Sequence, residues 1–484
     1  MQIKKLISYN SIFLACISIY AFILHFISLN QTGYANGWDS YFYLLQVKSL
    51  IQDGNLVSSR VSLIYPILSV FVYFCNDYIL AWKIFTAILV SLSCIGIYKV
   101  ITAMHIHSLI ALITAAYIAI SPHMFYFSAQ YTKNILGFVF FLFFLVALYN
   151  KNTLFIIITI LLNLFTHKLT GFLAIGIYAS IIAYTYIYKH TNKKILLLWI
   201  SIPLILICCI PTLFDISDLT RQQDLISTTP QWYPILFFKD FKNVITIAWK
   251  TEIIASYVLC IAVLSYNIVY KKNMYYYIIP ILFIALNLPF LQWDIQGFSF
   301  RFFMFSLLLP PICIGIILEN IQVRKYMYSS IPIILFAGIF TQHTYSPQLH
   351  DPNYEEFEHI TENTTNTTAF KQAELIIAHK GLAEFIKFTT NKDAMSWIPE
   401  YHIHTDSLWR ITAGISTFRL QSFLPDTSLS VVGYNYHIMR EKDWQKFLTD
   451  VQKNHTDFYD DYTTWLNPNN KRPAFMQKYR RKHE

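Results

Sequence analysis

Residues Leu6 to Leu29 read LISYNSIFLACISIYAFILHFISL, and residues Asn36 to Gly54 read NGWDSYFYLLQVKSLIQDG. The first run has no acidic or basic residue other than His25 and is long enough to cross a bilayer as one helix, which takes about 20 apolar residues. It follows Lys4 and Lys5 and ends without a small-residue cleavage site, so it reads as an uncleaved first span rather than a signal peptide. The second stretch sets Asp39 at the water boundary beside Tyr34, Trp38, Tyr41, Phe42 and Tyr43. It then reads as a helix too short and too polar to span. Leu44, Val47, Leu50 and Ile51 follow helical spacing, Asp39 suits an N-cap and Gly54 a C-terminal stop.

Working outward, 55% of the chain is hydrophobic and 13% charged, against roughly 25% charged in a soluble domain. Mean hydropathy is +0.42. Apolar runs recur as far as about residue 342 at the length of a spanning helix. The fold class is therefore a polytopic α-helical membrane protein, with amphipathic helix material in its first outside loop. The runs are continuous rather than alternating, which excludes a β-barrel. About eleven spans fit the length rule, at roughly 6–29, 79–101, 108–124, 134–150, 153–166, 171–187, 195–214, 252–271, 274–291, 301–319 and 328–342. Lysines and arginines at alternate connections (Lys99, Lys151, Lys189, Lys193, Lys272, Arg324) mark the inside. That leaves outside the loop 30–78, the turn 125–133, the turn 166–171, the loop 215–250 and the turn 292–300. Residues 1–342 are expected to form the membrane domain. Residues 343–484 are polar, pattern as helix and strand, and are expected to form a small α/β soluble domain outside.

The seven cysteines form no disulfide or Cys-x-x-Cys framework. No phosphate loop, dinucleotide fingerprint, zinc-protease or serine-hydrolase motif is present. A net charge of +9, spread over many loops, reports membrane orientation rather than a nucleic-acid partner.

Four places carry candidate chemistry. Asp39 could act as a general base on an acceptor hydroxyl or simply cap its helix. Trp38, Tyr41 and Tyr43 could line a sugar site or belong to an interfacial aromatic belt. In SPHMFYFSAQYTKNILGF (121–138), Lys133 stands where the fourth span begins. It suits a phosphate or a snorkelling helix end, and His123 reads as polar filling. In NLFTHKLTGF (163–172), His167 and Lys168 occupy a tight turn between two spans. In LQWDIQGFSFRFFMF (291–305), Asp294 and Arg301 bracket a short outside loop. An arginine entering an apolar helix is costly unless paired, and its guanidinium matches phosphate in a bidentate way.

Taken together, WDSYFYLLQ, THKLTG and FSFRFFMF on one face of a many-span chain resemble the GT-C superfamily of polytopic glycosyltransferases. That group includes protein O-mannosyltransferases, lipid A aminoarabinose transferases and oligosaccharyltransferases. The first loop departs from the mannosyltransferases in lacking a paired Asp-Glu, and no Trp-Trp-Asp motif of oligosaccharyltransferases occurs. The resemblance implies inverting transfer of a sugar from a polyprenyl-phosphate donor to a glycan, lipid or protein acceptor. Asp39 would be the base, Arg301 with Lys133 and His167 would hold the donor phosphate, and Trp38, Tyr41, Tyr43 and Asp294 would border the acceptor. No metal ligand set is assigned, and a divalent ion stays an open cofactor. Low glycine with abundant Ile, Lys, Asn and Tyr suggests an AT-rich bacterial genome and thus an inner membrane. The rival readings are a lipid-linked-glycan transporter or flippase, a non-catalytic assembly factor, and an enzyme resembling O-antigen ligases or polymerases. The last would use Arg221 of the 215–250 loop.

Overall fold

A computed structural model describes residues 9–37, 39–57, 61–189, 247–270, 272, 274–287, 298–319 and 328–344, and, beyond these, 361, 371, 375–377, 380–395, 408–412, 429–430, 437–440, 449 and 453. The chain divides into two compact units. One comprises Met1–Gly37 with Gln46–His350, and the other Trp38–Leu45 with Asp351–Glu484.

The first unit is a helix bundle. Helix α1 (Tyr9–Leu29) is followed by α2 (Ser40–Asp53, whose residues up to Leu45 belong to the second unit), α3 (Ile64–Cys75), α4 (Tyr78–Ala103), α5 (Ser108–Ile120) and α6 (Pro122–Gln130). Then come α7 (Thr132–Tyr149), α8 (Thr153–Thr166), α9 (Lys168–Lys189), α10 (Ile247–Val269) and α11 (Ile278–Leu286). Helices α12 (Phe298–Ser306), α13 (Pro310–Leu318) and α14 (Ser330–Thr344) complete the described part. Among the described residues, four helices are long and apolar enough to span: α1, α4, α7 and residues Thr251–Val269 of α10. The pair α5 and α6, bent by 54°, is a fifth if counted as one broken span rather than a re-entrant loop. Shorter apolar helices run over Ile64–Cys75, Thr153–Thr166, Lys168–Ala183, Met274–Leu286, Phe302–Leu318 and Ser330–Thr341. The expected count of about eleven draws on these shorter pieces and on 195–214, which lies outside the described residues.

Ile19, Ile23 and Ile27 are exposed on α1, and Ile254, Val258 and Ile261 on α10. Apolar stripes of this kind at helical spacing face lipid, so the helices associate through close packing rather than through water exclusion. Helix α4 is the hub, against α1, α5 and α7. At Gly96 a Cβ atom would lie 2.7 Å from the Leu142 side chain of α7, so the missing side chain is what lets these two helices approach.

Local signals fix several boundaries. Asp77 caps α4, its Oδ1 accepting from the Ile79 N–H at 2.8 Å and the Leu80 N–H at 3.0 Å. Gly54, with φ +71°, ends α2 in the left-handed conformation that suits glycine. One expectation is corrected. The expected span over 108–124 and turn over 125–133 are replaced by the α5–α6 bend and helix α6. Pro122 has no N–H to continue α5, so it starts a new helix instead. The loop 30–78 holds a second helix, α3.

In the second unit, the described residues form a five-stranded sheet and one helix. The strands are β1 (Leu375–Ile377), β2 (Asp393–Met395), β3 (Leu408–Thr412), β4 (Leu429–Ser430) and β5 (His437–Arg440), in the order β2-β1-β3-β5-β4. β1 pairs in parallel with β2 and β3, and β5 pairs antiparallel with β3 and β4. Helix α15 (Lys380–Thr390) buries Ala383, Phe385 and Ile386.

Candidate functional site

Side-chain contacts define the two ends of the bundle. At one end, Lys272 pairs with Glu319 at 2.7 Å, and the Tyr276 hydroxyl donates to the Met104 carbonyl just past α4. The hydrogen bond to Glu319 raises the Lys272 ammonium above its ordinary pKa. Tyr149, closing α7, donates to the Tyr275 carbonyl, and Lys151 follows it in the chain. At the opposite end α4 starts from Asp77, α8 finishes and α10 begins.

Lys133 and His167 come together at this second end. Thr132, the first residue of α7, lies 3.0 Å from Thr86 of α4 between hydroxyl oxygens. Lys133 and Gly137 are four residues apart and share a face of α7. A Cβ on Gly137 would lie 2.7 Å from the His167 Cβ and 2.9 Å from the Thr170 hydroxyl. His167 therefore packs one turn from Lys133. Its backbone is extended and closes α8 by donating its N–H to the Asn163 carbonyl at 2.7 Å. Both side chains are half-buried.

The first loop is fastened to the same end. Ser62 donates to the Thr166 carbonyl at 3.1 Å and the Leu63 N–H to the Phe165 carbonyl at 3.0 Å, beside His167. Lys83 of α4, 2% exposed, donates to the Asn30 side chain at 3.3 Å and to the Thr32 carbonyl. Gly37, with φ +92°, sits so close to α6 that a Cβ would lie 2.8 Å from the Gln130 carbonyl oxygen and 3.0 Å from that of Ala129. Replacing Gly37 by Ala is expected to strain the backbone and press on two fixed carbonyls, costing about 1–3 kcal/mol. A shortened thermal-inactivation half-life in lipid would register it.

Arg301 lies in the first turn of α12. One turn later His123 of α6 donates from Nε2 to the Met304 carbonyl at 2.8 Å, and Phe305 meets Phe138 and Phe141 of α7 edge-on. The backbone of α12 therefore begins at the end that carries Lys133 and His167. Asp39, half-buried, opens α2, its carbonyl accepting the Tyr43 N–H at 3.1 Å. Tyr41, expected at a sugar site, is 1% exposed, with its ring against Phe385. Trp38 and Asp294, like Arg221, lie outside the described residues. Among the described residues, no three His, Cys, Asp or Glu side chains gather to hold a metal.

Sequence reasoning missed two groups. Lys83 is one. The other is Glu252, 9% exposed at the start of α10, whose carboxyl group collects three donors at the bend. The Tyr117 and Ser121 hydroxyls donate to Oε1 at 2.8 and 2.5 Å, and the His123 N–H donates to Oε2 at 2.7 Å. His25 of α1 holds the same bend from another side, donating from Nε2 to the Ala119 carbonyl and stacking on Phe125. The available signal was a lone charge within an apolar run, which marks function or a specific partner.

No family model and no curated protein matches the chain by sequence. Solved structures do match it in fold. ArnT from Cupriavidus metallidurans, in the apo state, aligns over 90% of this chain and 98% of its own, with TM-score 0.59 and 10% identity. Archaeal oligosaccharyltransferase AglB from Archaeoglobus fulgidus aligns over 85% and 70%, with TM-score 0.47 and 10% identity. Arabinofuranosyltransferase AftD from Mycobacteria aligns over 76% of this chain but 29% of its own, with TM-score 0.44 and 13% identity. These structure neighbours are GT-C glycosyltransferases, as the sequence resemblance leads one to expect. The chain is an integral membrane protein with the fold of ArnT.

Proposed function

We propose that the chain is an inverting glycosyltransferase that moves a sugar from a polyprenyl-phosphate donor to a glycan, lipid or protein acceptor on the outer face of the membrane. The observation that supports this most is the gathering of Lys133, His167 and the start of the Arg301 helix at one end of the bundle, under the fastened first loop. The opposite end carries Lys99, Lys151 and Lys272, so the positive-inside rule assigns it to the cytoplasm. The shorter apolar helices complete the spans, and a bacterial inner membrane with chemistry serving the cell envelope fits the composition.

In the reaction, Asp39 takes the proton from the acceptor hydroxyl as its oxygen attacks the anomeric carbon. The bond from that carbon to the phosphate oxygen breaks, its electron pair leaving with the polyprenyl phosphate, and a single displacement inverts the carbon. Arg301, Lys133 and His167 stabilise the charge that grows on the phosphate, an effect that is strong where water is excluded. Tyr43, Trp38 and Asp294 border the acceptor.

The test is sugar release by the full chain in lipid from a panel of radiolabelled polyprenyl-phosphate sugars. Turnover with one donor supports the reading. No turnover with any donor, in folded protein, replaces it with a transporter or an assembly factor. Within an active enzyme, Lys133→Met is expected to weaken donor binding about 10- to 100-fold, the worth of one hydrogen bond to a charged group. The acceptor KM is expected to stay unchanged. Titration of each substrate separately measures both.

A further inference from the structure

Asp39 belongs to a segment, Trp38–Leu45, that clusters with residues 351–484 rather than with the helix bundle. The reason is visible in Tyr41. Its ring meets Phe385 edge-on at 5.0 Å and Phe388 at a tilt at 5.5 Å between centroids. Both phenylalanines lie on α15, whose buried residues Ala383, Phe385 and Ile386 follow an amphipathic pattern. The same helix packs on β2 at the edge of the sheet.

Tyr41 stands in the first turn of α2, and that turn is closed by the Tyr43 N–H donating to the Asp39 carbonyl. An aromatic pair at this spacing contributes about 0.5–1.5 kcal/mol beyond its buried area. Two such contacts on one ring leave it little freedom to turn. Fixing the ring fixes the first turn, and the first turn fixes the residue that opens it. We propose that Tyr41, Phe385 and Phe388 form a clasp through which the C-terminal part of the chain positions Asp39. The inference rests on the reading of Asp39 as the base. A base must come within hydrogen-bond reach of the proton it removes, and a misplacement of about 1 Å costs on the order of 10²-fold in rate. Tyr41 is thus a positioning residue rather than a sugar-binding ring, and α15 is a working part of the enzyme.

The experiment uses the full chain in lipid nanodiscs with Phe385→Ala, Phe385→Leu and, as a control on the exposed side of α15 that keeps the hydroxyl donating to the Phe385 carbonyl, Thr389→Ser. Three quantities are read: sugar release, binding of polyprenyl phosphate without a sugar, and amide exchange over residues 40–45. Phe385→Ala is expected to lower kcat by about 10²-fold, leave phosphate affinity unchanged and speed exchange at 40–45. Phe385→Leu is expected to restore most of the rate, and Thr389→Ser to match the unmodified chain. Unchanged exchange in Phe385→Ala overturns the clasp. Faster exchange with an undiminished kcat overturns its positioning role. Parallel loss of phosphate binding and kcat that Leu does not recover also overturns it, since that describes a general collapse. If the unmodified chain turns over no donor, the glycosyl-transfer reading fails, while amide exchange still decides whether the clasp exists.

Discussion

Asp39→Asn is expected to reduce sugar release by about 10²- to 10⁴-fold, the usual contribution of a positioned general base, while polyprenyl-phosphate binding stays as it was. Asn has nearly the size of Asp and is an equally good residue to open a helix. The start of α2, where the Asp39 carbonyl accepts the Tyr43 N–H, should therefore persist. The amide lacks the charge needed to draw off a proton. Single-turnover release with preloaded donor isolates the chemical step, and equilibrium binding of the lipid phosphate checks the rest of the site. Equal rates in the two proteins would remove Asp39 as the base and leave a cap residue in its place. A loss of binding as large as the loss of rate would instead mean that the substitution had disturbed the fold.

How far the sequence led differs from residue to residue, for physical reasons. Charge content and run length report on the solvent around a helix, so the membrane class was open to reading from composition. The ends of α2 are legible because helix-end preferences are local: Asp39 stands just before the first turn, and Gly54 takes the left-handed conformation after the last. The α5–α6 bend at Ser121-Pro122 is not legible in hydropathy. Apolar composition is the same on both sides of the break, and a hydropathy window does not register direction. Lys83 and Glu252 were passed over because one charge does not spoil an apolar run. What makes each tenable is a partner far away in the chain, Thr32 for the lysine and Ser121 for the acid. Tyr41 shows the limit most clearly. An aromatic cluster at a membrane boundary suits a sugar, a lipid headgroup or another ring equally well. Only the tertiary structure reveals that Phe385 covers it.

Glu252 is the residue whose removal should cost the bundle most. In Glu252→Ala three donors lose their acceptor at once. The Tyr117 and Ser121 hydroxyls can turn towards other oxygens. The His123 N–H is fixed to the backbone at the start of α6 and cannot. Leaving buried donors unmatched costs about 1–3 kcal/mol each, so a total of about 2–5 kcal/mol is expected. Unfolding of membrane proteins is often irreversible, so the thermal-inactivation half-life is the appropriate measure. Amide exchange over 122–130 should accelerate while that of α4 holds. Glu252→Gln is expected to recover most of the loss, because its carbonyl oxygen can accept from the His123 N–H while its amide donates to the Tyr117 and Ser121 hydroxyl oxygens, which accept as well as donate. Ser121→Ala added to Glu252→Ala should cost less than the sum of the two, since they remove one shared contact. If Glu252→Gln is instead as unstable as Glu252→Ala, the bonds to the two hydroxyls and the His123 N–H do not hold the bend as described. Should the expected order hold, the bend is an enforced feature. Helix α6 leaves α5 at 54° because α10 supplies the acceptor at the break, and that angle brings the Gln130 carbonyl against Gly37 at the foot of the loop leading to Asp39.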